Sequence, residues 1–368
     1  MKIVDIETIP LASRYDKPIR FAHMDLTEHR SIVVRIRTDE GIVGISDLDG
    51  PPAGDMALID ILHKTFKPML IGKDPRAIGA RDKEMFALLN TMGRYRSLES
   101  YVRGAIDIAL WDILGKTCGQ PIHVLLGSRR SSLPAYASMA RLEPNEVAET
   151  VGRYAAEGFA GIKLRVGFDE RKDTAVLDEA RRAVPAGSAM RLMVDVNSAW
   201  RRAWALPNAQ RLEKYELAWI EEPLPPYDIP GSAHLAANLV TPLALGEHEI
   251  FTLHDARDYI LAGAADIIQP DLRQGISEVL RIANFAAAWD IPCIPHFFGP
   301  GLRFAATIQL LAAISNAELC EYPTTNNPLR FELMDQPLAA EKGVVSLPTG
   351  PGLGVSLNEK TLARYRID

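Results

Sequence analysis

Seven polar residues, Lys163, Asp195, Glu221, Glu247, Asp271, His296 and Glu321, each close a short apolar run, and they are separated by 32, 26, 26, 24, 25 and 25 residues. One strand with its crossover helix occupies about that length. The runs themselves, with one more ahead of them, read as strands at 134–137, 161–164, 191–194, 218–220, 242–245, 265–268, 291–294 and 317–320. Eight strands alternating with amphipathic helical stretches predict a parallel βα barrel.

The rest of the chain has a different texture. Residues 1–49 alternate apolar and polar positions, turn at 38–41 and return through 42–46, which predicts a hairpin with a glycine-containing loop. Residues 55–117 change to helical spacing punctuated by Pro68, Gly72, Pro75 and Gly93, so the first part reads as an α+β unit. After the eighth strand the βα rhythm is lost. The glycines of 350–354 lack the flanking strand and helix of a phosphate cradle and read as turns, in a tail expected to return to the first unit.

Composition excludes several classes. The chain has 368 residues, 47% of them hydrophobic, enough for about two domains and too apolar for a disordered chain. Its net charge is −6, from 41 basic and 47 acidic residues without a basic stripe, which argues against nucleic acid as a partner. Cys118, Cys293 and Cys320 are odd in number and widely spaced, as neither a disulfide framework nor a thiolate zinc site would be. The first residues do not resemble a secretory signal and no apolar run is long enough for a membrane span, so a cytoplasmic protein is expected.

In a βα barrel the C-terminal strand ends share one mouth, so residues closing the strands face one cavity. A single acidic residue there is ordinarily a helix cap or a solvated turn residue. Asp195, Glu221 and Glu247 close three consecutive strands, and three carboxylates brought together repel one another unless a cation sits among them. Hard oxygen ligands suit Mg²⁺, and no Cys or His accompanies them as zinc would prefer. Lys163 and Arg165 project to the same face of the second strand, either as reacting groups or as counter-charges to the carboxylates. Across the mouth, Asp271 would orient His296 and raise its basicity; the alternative is a structural histidine. Glu321 is either a turn residue or, in a protonated form, a hydrogen-bond donor to a substrate carboxylate. A Schiff-base aldolase also uses a strand-end lysine, but needs no cage of carboxylates.

The set Lys163-x-Arg165, Asp195-Val-Asn197, Glu221-Glu-Pro223, Gly246-Glu247, Gln269-Pro-Asp271, Pro295-His296 and Glu321 resembles the mandelate racemase subgroup of the enolase superfamily, and the resemblance extends to 109–116 and 350–354. It implies an α/β fold: a modified TIM barrel of (β/α)7β type over residues 131–325. Over it would lie an α+β capping domain formed by residues 1–130 and the returning segment 326–368, with loops near 15–30 and near 50 closing the mouth. It further implies one Mg²⁺ per active site on Asp195, Glu221 and Glu247, chelated by a substrate carboxylate. A base would remove the α-proton to give a metal-stabilised enediolate, with Asn197 and Glu321 contacting substrate. Such proteins commonly form homo-oligomers.

One position departs from the family pattern. The usual second-strand sequence is Lys-x-Lys with the second lysine as a base, and here that position is Arg165, a very poor base at neutral pH. Three outcomes are compatible with this: His296 acts alone in an acid-sugar dehydratase, Lys163 becomes the base while Arg165 binds substrate, or the protein binds a sugar acid without turning it over. The first is preferred, because losing one of two bases cripples a racemase but not an elimination. Residues 327–330 are similar to members that cycloisomerise galactarolactones, which keeps a lactone substrate and an isomerase reaction open. Arg14, Lys17, Arg20 and His23, with Arg94 and Arg96 farther on, are the capping-loop candidates for meeting the distal end of a substrate.

Overall fold

The computed structural model describes residues 1–20, 25–49, 54–184 and 187–367. Strands β1 (Ile3–Arg20), β2 (Asp25–Thr38) and β3 (Val43–Leu48) form an antiparallel sheet in the order β1-β2-β3, with the expected turn at Gly41. The two-residue period of a strand sorts its apolar side chains between two cores. Ile32, Val34 and Ile36 pack into a cluster with helices α1 (Asp55–Ile61), α2 (Ile78–Thr91) and α3 (Leu98–Cys118), whereas Val33 joins the cluster that runs into the barrel.

The barrel strands are β4 (Ser132–Ser138), β5 (Gly161–Arg165), β6 (Arg191–Asp195), β7 (Ile220–Glu221), β8 (Leu243–Leu245), β9 (Ile267–Ile268) and β10 (Cys320–Pro323). They pair in parallel from β4 through β9, and β10 returns to pair with β4. Helices α4 (Pro144–Ala156), α5 (Glu170–Ala183), α6 (Arg202–Leu212), α7 (Ile229–Ala236), α8 (Leu253–Leu261), α9 (Ile276–Ala287) and α10 (Gly301–Leu311) fill the crossovers. Tyr136, Met193, Trp219, Ala244, Ile267, Ile294 and Leu319, drawn from around the barrel, form a buried apolar layer. Such a packed interior leaves the chemistry to the strand ends.

Three expectations need correction. The seventh strand is reduced to a single bridge from Cys293 to Ile268, because Pro292 and Pro295 on either side lack the N–H a ladder requires. Lys163 lies in the middle of β5, and the strand runs on to Arg165. The tail contains strands β11 (Ala340–Glu341) and β12 (Val344–Ser346), of which β12 adds antiparallel to β4, so it packs on the barrel as well. Beyond them the tail reaches α3 through a fully buried carboxylate: Asp112 accepts from Leu353 N at 2.8 Å, Ile45 N at 2.9 Å and Lys116 Nζ at 2.6 Å. A final helix, α11, spans Glu359–Tyr365. Among the described residues, no helix is long and apolar enough to cross a membrane.

Candidate active site

Strand register brings the charged residues together. Arg165 on β5 is aligned with Asp195 on β6, and Asp195 with Glu221 on β7, so a cation and two carboxylates stand side by side. Glu247 follows β8 through Gly246, whose φ is +155° and where an added Cβ would lie 2.5 Å from the Gln269 backbone. Only glycine fits that close approach. Asp271 and His296 follow β9 and the Cys293 bridge, and Glu321 lies within β10.

Lys163, Asp195, Glu221, Asp271, His296 and Glu321 are almost wholly buried, and Glu247 is partly so. Each carboxylate expected to hold a metal is engaged by a side chain of the protein. Arg165 Nη1 donates to Asp195 Oδ2 at 2.7 Å and to Asn197 Oδ1 at 2.5 Å. Lys163 Nζ donates to Glu221 Oε1 at 2.5 Å, and Arg273 Nη2 to Glu247 Oε1 at 3.1 Å. Among the described residues, the three-residue set whose possible ligand atoms all lie within 4.8 Å is Glu222, Glu247 and His248, rather than the expected trio, so a histidine does accompany the carboxylates, against the expectation. The trio's donor chemistry still fits a hard cation: three carboxylates at consecutive strand ends, two of them in register. Burial, with Asp195 and Glu321 nearby and Lys163 opposing, pushes Glu221 up to about 7.

Lys163 also meets Glu321 Oε1 at 2.8 Å. Burial favours the neutral amine, but the two glutamates outweigh it and raise the Lys163 pKa, so the side chain is a fixed cation here rather than a base. The same pairing corrects the expectation of a protonated Glu321. Burial would raise it, yet Lys163 and His296 hold it down at about 2, where it accepts from Phe297 N at 3.0 Å.

His296 forms the expected pair. Its Nδ1 is 2.9 Å from Asp271 Oδ2, and its Nε2 is 3.2 Å from Glu247 Oε2. Burial alone would lower the imidazole, but Glu247, Glu321 and Asp271 raise it to about 9. Asp271 is kept ionised against burial by Arg273 and Arg303, with His296 adding to their effect. The sequence reading missed both arginines. Arg303 stands alone as a charge in the apolar run 301–311, a visible signal, and Arg273 lies two residues past Asp271.

Backbone strain gathers at the same rim. Asn197, Ser198 and Glu222 have φ of 47°, 58° and 43°, values that non-glycine residues seldom adopt and that concentrate at functional sites. The left-handed turn folds Asn197 back on Asp195, its N donating to Oδ1 at 2.8 Å and its Nδ2 to Oδ2 at 3.0 Å. The capping-loop expectations fare differently. Arg14 and Lys17 are exposed; the Arg20 side chain and all of His23 lie outside the described residues. Arg94 is paired with Glu99 and Arg96 with Asp255 on α8, so both serve contacts within the fold.

The N-terminal domain of the mandelate racemase / muconate lactonizing enzyme family matches residues 4–127, and the enolase C-terminal domain-like family matches residues 146–361. The chain is 34% identical to a D-galactarolactone cycloisomerase of Agrobacterium fabrum, over 100% of this chain and 99% of that one. It is 32% identical to an L-talarate/galactarate dehydratase of Salmonella typhimurium, over 91% and 82% respectively. A crystal structure of a racemase from Streptomyces coelicolor with bound magnesium superimposes with a TM-score of 0.90 at 26% identity, covering 99% of this chain and 100% of that one. With both families matched in order along nearly the whole length, over a barrel whose strand ends carry these charges, the chain belongs to the mandelate racemase subgroup of the enolase superfamily.

Proposed function

We propose that the protein is a Mg²⁺-dependent acid-sugar dehydratase: it removes the α-proton of a sugar-acid carboxylate and completes a β-elimination of water. The observation that carries this is the asymmetry of the bases. His296 with Asp271 is the buried acid–base pair among the strand-end residues expected to react, while Arg165 is tied to Asp195 and Asn197 and Lys163 is held between two glutamates. A racemase needs a proton acceptor on each face of the α-carbon, and an elimination needs only one.

Asp271 holds the proton on Nδ1, which leaves Nε2 as the working nitrogen; nearby carboxylates, Glu247 foremost, raise the imidazole to about 9, and a cation held by Glu247 would offset that pull and free Nε2 to accept a proton. Nε2 takes the α-proton; the C–H electron pair becomes the Cα=Cβ bond as the Cβ–O bond breaks; Nε2 then returns the proton to the departing hydroxyl. The enol product rearranges to a 2-keto acid. Lys163, Arg165 and Asn197 supply positive charge and hydrogen-bond donors for the substrate carboxylate and its α-substituent. Asp195, Glu221 and Glu247 would hold the Mg²⁺, which when bound acidifies the α-proton by offsetting the charge that develops on the carboxylate.

A second reading, lactone cycloisomerisation, is favoured by the 34% identity to a D-galactarolactone cycloisomerase along the full chain. It uses the same base, with the lactone ring oxygen as the group that leaves. A panel of sugar acids and their lactones, incubated with Mg²⁺ in D₂O and followed by NMR, separates the readings. Dehydration gives a 2-keto acid, and cycloisomerisation consumes only lactones. Inversion at the α-carbon with deuterium uptake and no leaving group lost would overturn both.

A further inference from the structure

Arg303 is 1% exposed, on a helix whose other residues are apolar or uncharged. A guanidinium so placed requires a carboxylate partner. It finds one on the far side of the molecule's main junction. Asp49, just past the end of β3, takes Nη1 on Oδ1 and Nη2 on Oδ2, and Nη2 also donates to Phe298 O at 2.9 Å. Two residues earlier, Asp47 accepts from the backbone N–H groups of Leu302 and Arg303 at 2.7 and 3.0 Å. The end of β3 thus holds both the first turn of α10 and its arginine.

The remaining edge of that guanidinium faces the dyad. Arg303 Nε is buried without a hydrogen-bond acceptor and lies 3.7 Å from Asp271 Oδ1, while Asp271 Oδ2 is the atom paired with His296. The guanidinium is a rigid plane, so a grip on two of its nitrogens fixes where the third points. Arg273 also touches Asp271, but it touches Glu247 as well, so changing it would disturb the carboxylate trio and the dyad together. No ion pair joins Arg303 to Asp195, Glu221 or Glu247 among the described residues.

We infer that Arg303 is a positioning residue for the His296–Asp271 pair and that Asp49 sets its aim, so that the seating of β3 on α10 aligns the base. The inference rests on His296 being the base. Without the Asp49 grip, the guanidinium is free to turn, and its nearest remaining carboxylate is Asp271. The dyad would then lose the orientation that makes Nε2 effective, while the substrate-contacting side chains stay where they are.

Asp49→Asn keeps the shape of the side chain and removes its charge. On galactarate and D-galactarolactone with Mg²⁺, it is expected to lower kcat by about 10- to 100-fold, as changes behind a catalytic group do, with KM unchanged; the urea midpoint falls because Arg303 loses its buried partner, so kcat is measured where the variant is fully folded. Arg303→Lys, which cannot offer the paired N–H edge, should move kcat the same way. A second readout needs no substrate: the downfield Nδ1–H proton signal of His296, identified by its loss in His296→Asn, should shift in Asp49→Asn. Wild-type kcat, a kcat loss no larger than the unfolded fraction accounts for, or an unmoved proton signal would each overturn the inference. Full turnover by His296→Asn would instead overturn the assignment of the base.

Discussion

Burial by itself neutralises a carboxyl or an imidazole, and in this mouth the neighbours decide which groups escape that rule. Glu321 stays ionised at about 2 because Lys163 and His296 stand beside it, whereas Glu221, with Asp195 and Glu321 nearby, rises to about 7. His29 on β2 shows burial prevailing. Burial first, with Arg303 and Arg330 adding to it and Asp49 opposing, lowers it from 6.5 to about 4. The unfolded chain therefore binds a proton at His29 below pH 6.5 that the folded chain refuses until about pH 4. Acidification across that window destabilises the fold, by up to roughly 3 kcal/mol. The urea midpoint of the wild type should accordingly fall relative to that of His29→Gln between these two pH values. Parallel curves for the two proteins would contradict a neutral, buried His29.

At the scale of elements, the dyad depends on how closely α3 approaches the turn after β9. At Gly104 an added Cβ would lie 2.1 Å from Arg273 O and 2.7 Å from the Gln274 carbonyl carbon. Gly104→Ala is therefore expected to cost about 1–3 kcal/mol in chemical denaturation, as overpacking does, and to lower kcat because Asp271 and Arg273 sit on the displaced turn. Unchanged stability would mean that the two elements are not tightly packed. The same elements show what could be read beforehand. Strands β6 and β7 end at Asp195 and Glu221, where an apolar run meets a charge, and the two-residue period of β5 placed Lys163 and Arg165 on one face. The seventh strand shrinks to one bridge because Pro292 and Pro295 lack ladder N–H groups, a signal that outweighs the apolar run around them. Strands β11 and β12, of two and three residues, are too short to show a period at all. Arg303 and Asp49 are 254 residues apart, and no local pattern announces a contact over that separation. The ionisation of Glu321, left open by the sequence, is hidden there for a related reason: it depends on Lys163, which reaches it only after the barrel closes.

At the scale of the whole molecule, the barrel supplies the carboxylates and the N-terminal sheet supplies Asp47 and Asp49 to the helix beside the dyad, while Asp112 ties the sheet and the tail to α3. A cation that binds the assembled strand ends and not the unfolded chain must stabilise the protein. At Mg²⁺ concentrations of about 100 times Kd that amounts to about 2.7 kcal/mol. The melting temperature should rise with Mg²⁺ in the wild type and not in Asp195→Asn or Glu221→Gln; an equal rise in all three would place the cation elsewhere. The central claim is that one buried imidazole removes the α-proton. Its most direct test is the NMR signal of that proton in D₂O, with Mg²⁺ and galactarate or D-galactarolactone, compared between the wild type and a folded His296→Asn. The account predicts that the wild type consumes the signal as a β-elimination product forms, and that His296→Asn is slower by about 10² to 10⁴; loss of the signal at the wild-type rate in His296→Asn would contradict it.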